Sequence, residues 1–515
     1  MKKIGIKILL LAVILFIPCI VSAKIETEPH PISGANFNQI SVEDNEKNVL
    51  SIEKQNLIKM NGNDIIWQIN LNLNNDFYPR SMAVDSNDNI YVIGNYQFAD
   101  ANVPYSKFIK TEIVKVSKTG EILWHKPILE NHNETEATRI RIYNDEIYTV
   151  TKGFKDITYN RTEPTGNNNN NFYIYDINTV YTFIKMDTDG NSIKEEQLYL
   201  HPEEYYTNDG GSIWSMETEI YDEIIIDEDS IYISLAPDQL YQYESYLFKL
   251  DKDGSLVSSQ KKDYVILSIE KDDSRIIGVG KTMKFVESMG YDWMTPIIAE
   301  MDTDFNVLKE INPETPGTNV RIRKEEGGFF ILSHDYDANE IPMANLSYYD
   351  KELNKVETIK LNNEYFFTDV NYASDNRFLV ADNVGGSDSY GYYYFEHENK
   401  EASRVIKRGS FDEIENILKT MDLTEEELSR INTIKWIIED NNIAKIEDNK
   451  IIGLKPGKTK MIGYIGLKKI TIDLEIYDDI INPETRNNII ILLFTIAVVI
   501  VISTYTKSRK NKNCE

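Results

Sequence analysis

Between residues 48 and 408 the hydrophobic and polar positions recur in a two-part unit. A short run rich in Ile, Val, Tyr and Phe meets a tight turn of Asp, Asn, Gly or Ser, and a second such run follows. After a longer polar stretch another hairpin of the same kind appears. First hairpins lie at 81–96 (SMAVDSNDNIYVIGNY), 139–151, 224–235, 265–280 and 320–333. Second hairpins lie at 111–128, 182–198, 246–259, 297–311 and 346–361. Alternation with a period of two, bounded by turn residues, is the signature of antiparallel strands. One four-stranded sheet cannot bury both its faces, whereas several packed radially can. The pattern predicts an all-β fold: a β-propeller of six blades over 48–408. An extra leading hairpin at 57–71 (LIKMNGNDIIWQINL) either closes the ring or makes a seventh blade.

Beyond 408 the period changes. Residues 409–432 include FDEIENILKTMDLTEEELSRI, which has helical spacing, and Thr424 with Glu427 has the form of a capping box. A short helical connector is expected there. Strand patterning returns over 433–478.

The ends are of another kind. Residues 1–23 carry a basic start, an apolar stretch and Val21-Ser22-Ala23, which together read as a signal peptide cleaved after Ala23. Residues 24–47 read as a linker. Residues 489–506 form an apolar run without charge, about 27 Å long as a helix and enough for one transmembrane span. Lys507, Arg509, Lys510 and Lys512 follow in a basic tail, 507–515. Basic residues stay on the cytoplasmic side, which places everything before them outside the cell. A stalk, 479–488, precedes the span.

Charge and cysteine narrow the options. The formal net charge is −28, and both ends are basic, so the body between them is more acidic still. Such a surface repels nucleic acid and anionic headgroups. The two cysteines, Cys19 and Cys514, fall in the terminal segments. The ectodomain therefore has no disulfide, no thiol chemistry and no thiolate metal site.

Several stretches resemble known families. SMAVDSNDNIYVIGNY is similar to a bacterial β-propeller repeat. KVSKTGEILW resembles the Trp-docking repeat of quinoprotein propellers, which implies that Thr119-Gly120 turns and that Trp124 packs between blades; Trp67 ends a similar strand. Residues 433–478 resemble a bacterial immunoglobulin-like group 2 domain through Trp436, residues 442–446, 452–455 and 457–459, and the final alternating strand. Its N-terminal strands read as missing, so a truncated β-sandwich is expected, serving as a surface spacer or adhesion module. Asn482-Pro483-Glu484-Thr485 before a hydrophobic span and a basic tail resembles a Gram-positive sorting signal, which implies a sortase that cuts after Thr485. Arg486 stands where that family usually has Gly, so a plain single-span anchor is the other reading.

Within each unit the first-to-second and third-to-fourth turns are short. The remaining connections, among them 97–110, 153–180, 201–220 and 281–296, are long and fall on one face of a propeller. Long loops are where binding sites are usually built. Tyr205, Tyr206, Trp214, Tyr291 and Trp293 stand in those stretches and are the candidate ligand contacts. The alternative for each is packing beneath its own loop. The turns at 187–190 and 251–254 lack the further ligands of a calcium loop and read as hairpin turns whose Asp accepts backbone N–H groups. The six histidines are scattered. No catalytic residue, metal site or cofactor is assigned. The leading reading is a cell-surface binding or adhesion protein for an extracellular glycan or protein. The alternative is a surface hydrolase or lyase acting on glycan or peptide at the propeller axis.

Overall fold

The computed structural model describes residues 24–25, 30–32 and 41–478, apart from short internal stretches. Two compact units result, one covering 24–396 and the other starting at 397. The expected signal peptide 1–23, the motif Asn482–Thr485 and the apolar run 489–506 lie outside the described residues. No described helix is long and apolar enough to cross a membrane.

Among the described residues the first unit is a ring of seven antiparallel sheets, so the open choice between six and seven blades resolves to seven. Blades 1 to 6 occupy 41–70, 78–127, 134–214, 217–262, 265–311 and 317–360. Blade 7 joins Tyr365–Tyr372, Arg377–Asn383 and Tyr390–Glu396 to Lys24–Ile25 and His30–Ile32 from the start of the chain. The innermost strands touch in chain order, and His30–Ile32 touches Val49–Glu53 of blade 1, which closes the circle. This corrects one expectation and settles another. Residues 24–47 are not simply a linker, since they supply strands to blades 7 and 1. The hairpin at 57–71 is the second half of a complete first blade. The missed strands are two or three residues long, too short to show a period, and they form only because a distant sheet edge receives them.

The core lies between blades. One cluster joins Leu50, Leu57 and Phe77 to Met82, Val92 and Val114 across blades 1 and 2. Another joins Tyr91 and Ile113 to Ile140, Ile147 and Ile184 across blades 2 and 3. Equivalent layers join blades 3 and 4, 4 and 5, and 5 and 6. Blades 2 to 5 thus carry an apolar layer on both faces, and burial at about 25 cal/mol per Å² replaces any covalent staple.

The short turns share one design. Asp85 Oδ1 accepts the backbone N–H groups of Asn87 (2.9 Å) and Asn89 (2.8 Å), and the Asn89 amide donates to Asp85 Oδ2 (2.9 Å). The same pattern recurs at Asp44/Asn48, Asp187/Asn191 and Asp302/Asn306. The Asp187 and Asp251 turns are therefore hairpin turns, as expected from sequence. The fourth residue takes a left-handed conformation: Gly120 (φ 86°), Gly190 (φ 75°), Phe305 (φ 64°) and Leu353 (φ 64°). Where it is Gly, an aromatic of the preceding blade docks on it. A Cβ on Gly120 would stand 3.0 Å from Trp67, and one on Gly190 would stand 2.9 Å from Trp124. Trp67 also donates Nε1–H to the Lys118 carbonyl (3.0 Å). Where the residue is Phe305, its own ring is buried, edge-on to Tyr232 of the preceding blade.

The long connections are a second correction. Much of their length is strand. In blade 3, Glu146–Pro164, Asn171–Met186 and Ser192–Asn208 pair far past the ring. In blade 5 the second and third strands pair out to Val286 and Tyr291. Polar, Asn-rich composition disguised these stretches as loops, whereas the backbone satisfies its hydrogen bonds through pairing.

The second unit is a two-sheet sandwich. Glu398–Lys407 runs parallel to Lys468–Tyr477, which pairs with Gly457–Ile465 and onward to Ile437–Ile438. Phe411–Glu413, Lys450–Gly453 and Ala444–Glu447 form the other sheet. Helices Ile414–Leu418 and Glu425–Ser429 lie between. The capping box forms as expected: the Thr424 N–H donates to Glu427 (2.7 Å) and the Glu427 N–H to Thr424 Oγ1 (3.2 Å). Residues 398–407, assigned by sequence to the propeller, belong to this unit. They supply a strand that the sequence reading treated as missing.

Candidate functional site

Each inner strand of blades 2 to 7 breaks register with its neighbour once. The breaks fall between Pro79 and Ser81, Ala137 and Ile140, Glu217 and Ile220, Ile266 and Ser268, Asn319 and Arg321, and Phe367 and Asp369. A bulge increases local twist and re-aims side chains. At or just past these bulges stand the charged residues of the axis: Arg139 and Arg141, Asp222 and Glu223, Glu270, and Arg321 and Arg323.

Glu223 is the hub. Arg139 Nη1 lies 3.4 Å from its carboxylate, Arg323 Nη1 3.7 Å and Arg321 Nη1 4.0 Å, and Arg141 pairs with it closely. Ser268 Oγ donates to the same carboxylate (3.2 Å). Glu223 has 3% of its side chain exposed, as against 21% for Arg141 and 19% for Arg323. The inner pair Arg139 and Arg321 is buried with the carboxylate, while the outer pair reaches open space. That space is a cavity of about 530 Å³ whose lining includes Asn45, Ala83, Arg141, Glu223, Glu270 and Arg323.

The electrostatics divide the carboxylates. Burial opposes the charge on Glu223, but Arg139 and the other three guanidiniums outweigh it and hold its carboxyl far below the usual range. Burial pushes Glu270 up to about 7, although Arg323 stands 3.8 Å away. Burial also raises Asp222, which accepts a hydrogen bond from Thr138. The site gathers four guanidiniums around the ionised Glu223, with Glu43 and Glu270 also on the cavity wall.

The residues expected as ligand contacts fall elsewhere. Tyr205 is 1% exposed, packed at centroid distances of 5.3 Å from Phe108 and 5.7 Å from Phe154. It is a core residue of a satellite cluster, so its place as an exposed contact is corrected. Tyr206 is half-buried and donates its hydroxyl to Glu204, which also pairs with Arg161 (2.5 Å). Trp214 pairs by backbone with Tyr206, Tyr291 with Val286, and Trp293 with Lys284. The side chains of Trp214, Tyr291 and Trp293 lie outside the described part. Neither Tyr205 nor Tyr206 is among the described residues that line the axial cavity. The axial residues were missed, yet a signal existed: Arg-Ile-Arg occurs at 139–141 and again at 321–323, at equivalent places in blades 3 and 6.

Fold and site together define a β-propeller protein with a charged axial cavity. The family model of the SBBP beta-propeller repeat matches residues 66–95. No curated protein matches the chain. Among solved structures, BamB from Moraxella catarrhalis is 10% identical with a TM-score of 0.38, covering 72% of this chain and 100% of that one. The mitotic checkpoint complex gives 8%, 0.43, 73% and 94%. A DUF4221 family member from Bacteroides vulgatus gives 10%, 0.34, 73% and 98%. These likenesses carry no assignment of activity.

Proposed function

We propose that the chain is an exported binding protein, anchored at the cell surface through its C-terminal apolar run, whose ligand enters the axial cavity of the propeller. The observation that carries this reading is the convergence of bulged inner strands from successive blades on one concave, charged space. A rigid ring lets several strands fix side chains around one point without ordering a loop on binding. The sandwich is read as an immunoglobulin-like group 2 spacer, in keeping with the resemblance of residues 433–478. The signal segment and the basic tail support the outward orientation. Whether the Asn482–Thr485 motif is cut by a sortase or the run stays as a plain anchor, the location is the same.

The test is an array of extracellular glycans and proteins probed with the purified chain. Ala83→Trp, which fills the cavity, abolishes a hit, while Tyr206→Ala on the outer strands leaves it intact. The reverse result removes the axial assignment. Protease treatment of intact cells, releasing fragments of residues 24–478, checks the location.

A second reading, a hydrolase or lyase at the axis, is favoured by one observation: Glu270 is held near 7 beside Arg323, with the ionised Glu223 adjoining. Two carboxyl groups with separated pKa values are the usual acid and base of such sites. Conversion of an array hit to product, lost in Glu270→Gln, decides for it.

A further inference from the structure

We infer that the axial cavity is a site for a small carboxylate-bearing ligand, held by Arg141 of blade 3 and Arg323 of blade 6. This deepens the axial-binding reading and rests on it. The site already binds one carboxylate, its own. Glu223 shows which anion these guanidiniums satisfy: a flat two-oxygen group approached from two blades and completed by Ser268. Planar guanidiniums match carboxylates in that manner, which an ammonium does not. Arg139 and Arg321 are 4% exposed and are committed to the internal carboxylate. Arg141 and Arg323 also contact Glu223 but form part of the cavity wall, so a second carboxylate reaches them from solvent. The cavity, at about 530 Å³, falls in the usual range for small-molecule sites.

A proton accompanies the ligand. Glu270 lines the same cavity and faces Arg323, Arg141, Glu223 and Lys324. An added carboxylate opposes ionisation of Glu270, so binding takes up a proton and affinity rises as pH falls from 8 to 6. Ligands without charge lack this dependence.

The experiment is calorimetric titration of the purified full-length chain with glucuronate and glutarate, with glucose as the uncharged control and inorganic phosphate as the other oxyanion. The expected result is binding of the carboxylates at least 10-fold tighter than glucose, and tighter than phosphate. Arg141→Gln and Arg323→Gln each lower carboxylate affinity at least 10-fold, and Arg323→Lys recovers only part. Circular dichroism melting shows which variants fold. Should an arginine variant unfold, the pH dependence of the intact chain supplies the second measurement. Glucose binding as tightly as glucuronate, phosphate binding tighter than either carboxylate, or arginine variants without effect overturns the carboxylate assignment and leaves axial binding standing. No binding by any of the four probes overturns the carboxylate site, and if the array also yields no hit, the binding reading falls with it.

Discussion

Arg321 in blade 6 and Glu223 in blade 4, two blades apart in the ring, stand 4.0 Å from each other. With Arg139 of blade 3 on the same carboxylate, the contact ties inner strands together through charge where the rest of the ring relies on apolar layers. Removing one member of a buried ionic group leaves the others unpaired, which is costlier than the group is worth. Glu223→Gln is expected to destabilise the propeller by about 3 to 5 kcal/mol, measured by urea unfolding. Because the loss comes from unbalanced guanidiniums, added sulfate recovers part of it in the variant and not in the parent chain. An unchanged midpoint in urea refutes the hub.

Glu134 tests burial without a full set of partners. Its carboxyl is pushed up to about 8 by burial, with Lys152 opposing the shift and Glu136 and Glu203 adding to it. The folded state keeps the proton between the ordinary carboxyl value and about 8, whereas the unfolded chain has released it. Stability therefore falls as pH rises through that window and levels off above it. Glu134→Gln still accepts the Ile109 N–H but has nothing to ionise. Its stability is expected to vary less between pH 5 and 8, and to exceed that of the parent at pH 8 by a margin on the order of a few kcal/mol. Thermal melts across that range check the sign.

Asp85 anchors a turn and an interior hydroxyl at once. Beyond its bonds to Asn87 and Asn89, its Oδ2 accepts the Tyr91 hydroxyl at 3.0 Å. Asp85→Ala strips all of these, for an expected loss of about 2 to 3 kcal/mol. In a double-mutant cycle with Tyr91→Phe, the two losses add to more than the double variant shows, since they share one bond. Strict additivity in urea unfolding contradicts the shared contact.

Phe305 predicts an unusual order of substitutions. Its ring is fully buried while its backbone sits at φ 64°. Phe305→Ala loses the ring and keeps the strain, costing about 3 to 5 kcal/mol. Phe305→Gly loses the ring but relieves the strain, so it is expected to be about 1 kcal/mol less damaging than Ala. Gly120, Gly190 and Gly254 occupy the same turn position elsewhere, which is the natural precedent. The opposite ranking in thermal melts denies that left-handed strain is stored there.

Much of the ring was legible because its signals are local. The turn at 187–190, the hairpin at 81–96 and the capping box at Thr424 are each decided by residues within a few positions of one another. Trp67 and Trp124 were also visible, through the resemblance of KVSKTGEILW to a Trp-docking repeat. The site was harder to read. Arg139 and Arg321 are far apart in the chain and meet only because blades 3 and 6 face one axis, so the repeated Arg-Ile-Arg gains meaning once the ring is closed. Tyr205 misled for the converse reason: its polar neighbours suggested a loop, while Phe108 and Phe154 cover it from other strands.

The chain by itself determined strand period, turn chemistry, an acidic body without cysteine between the two ends, and the repeat that requires radial packing. These follow from nearest-neighbour sterics and from the need to hide apolar faces. Only the tertiary structure decided that seven sheets close the circle, that Lys24–Ile25 and His30–Ile32 complete the last one, and that Glu223 sits among four guanidiniums. Strand pairing at an edge and the pKa of a buried carboxyl depend on what stands opposite, and what stands opposite is fixed by the fold.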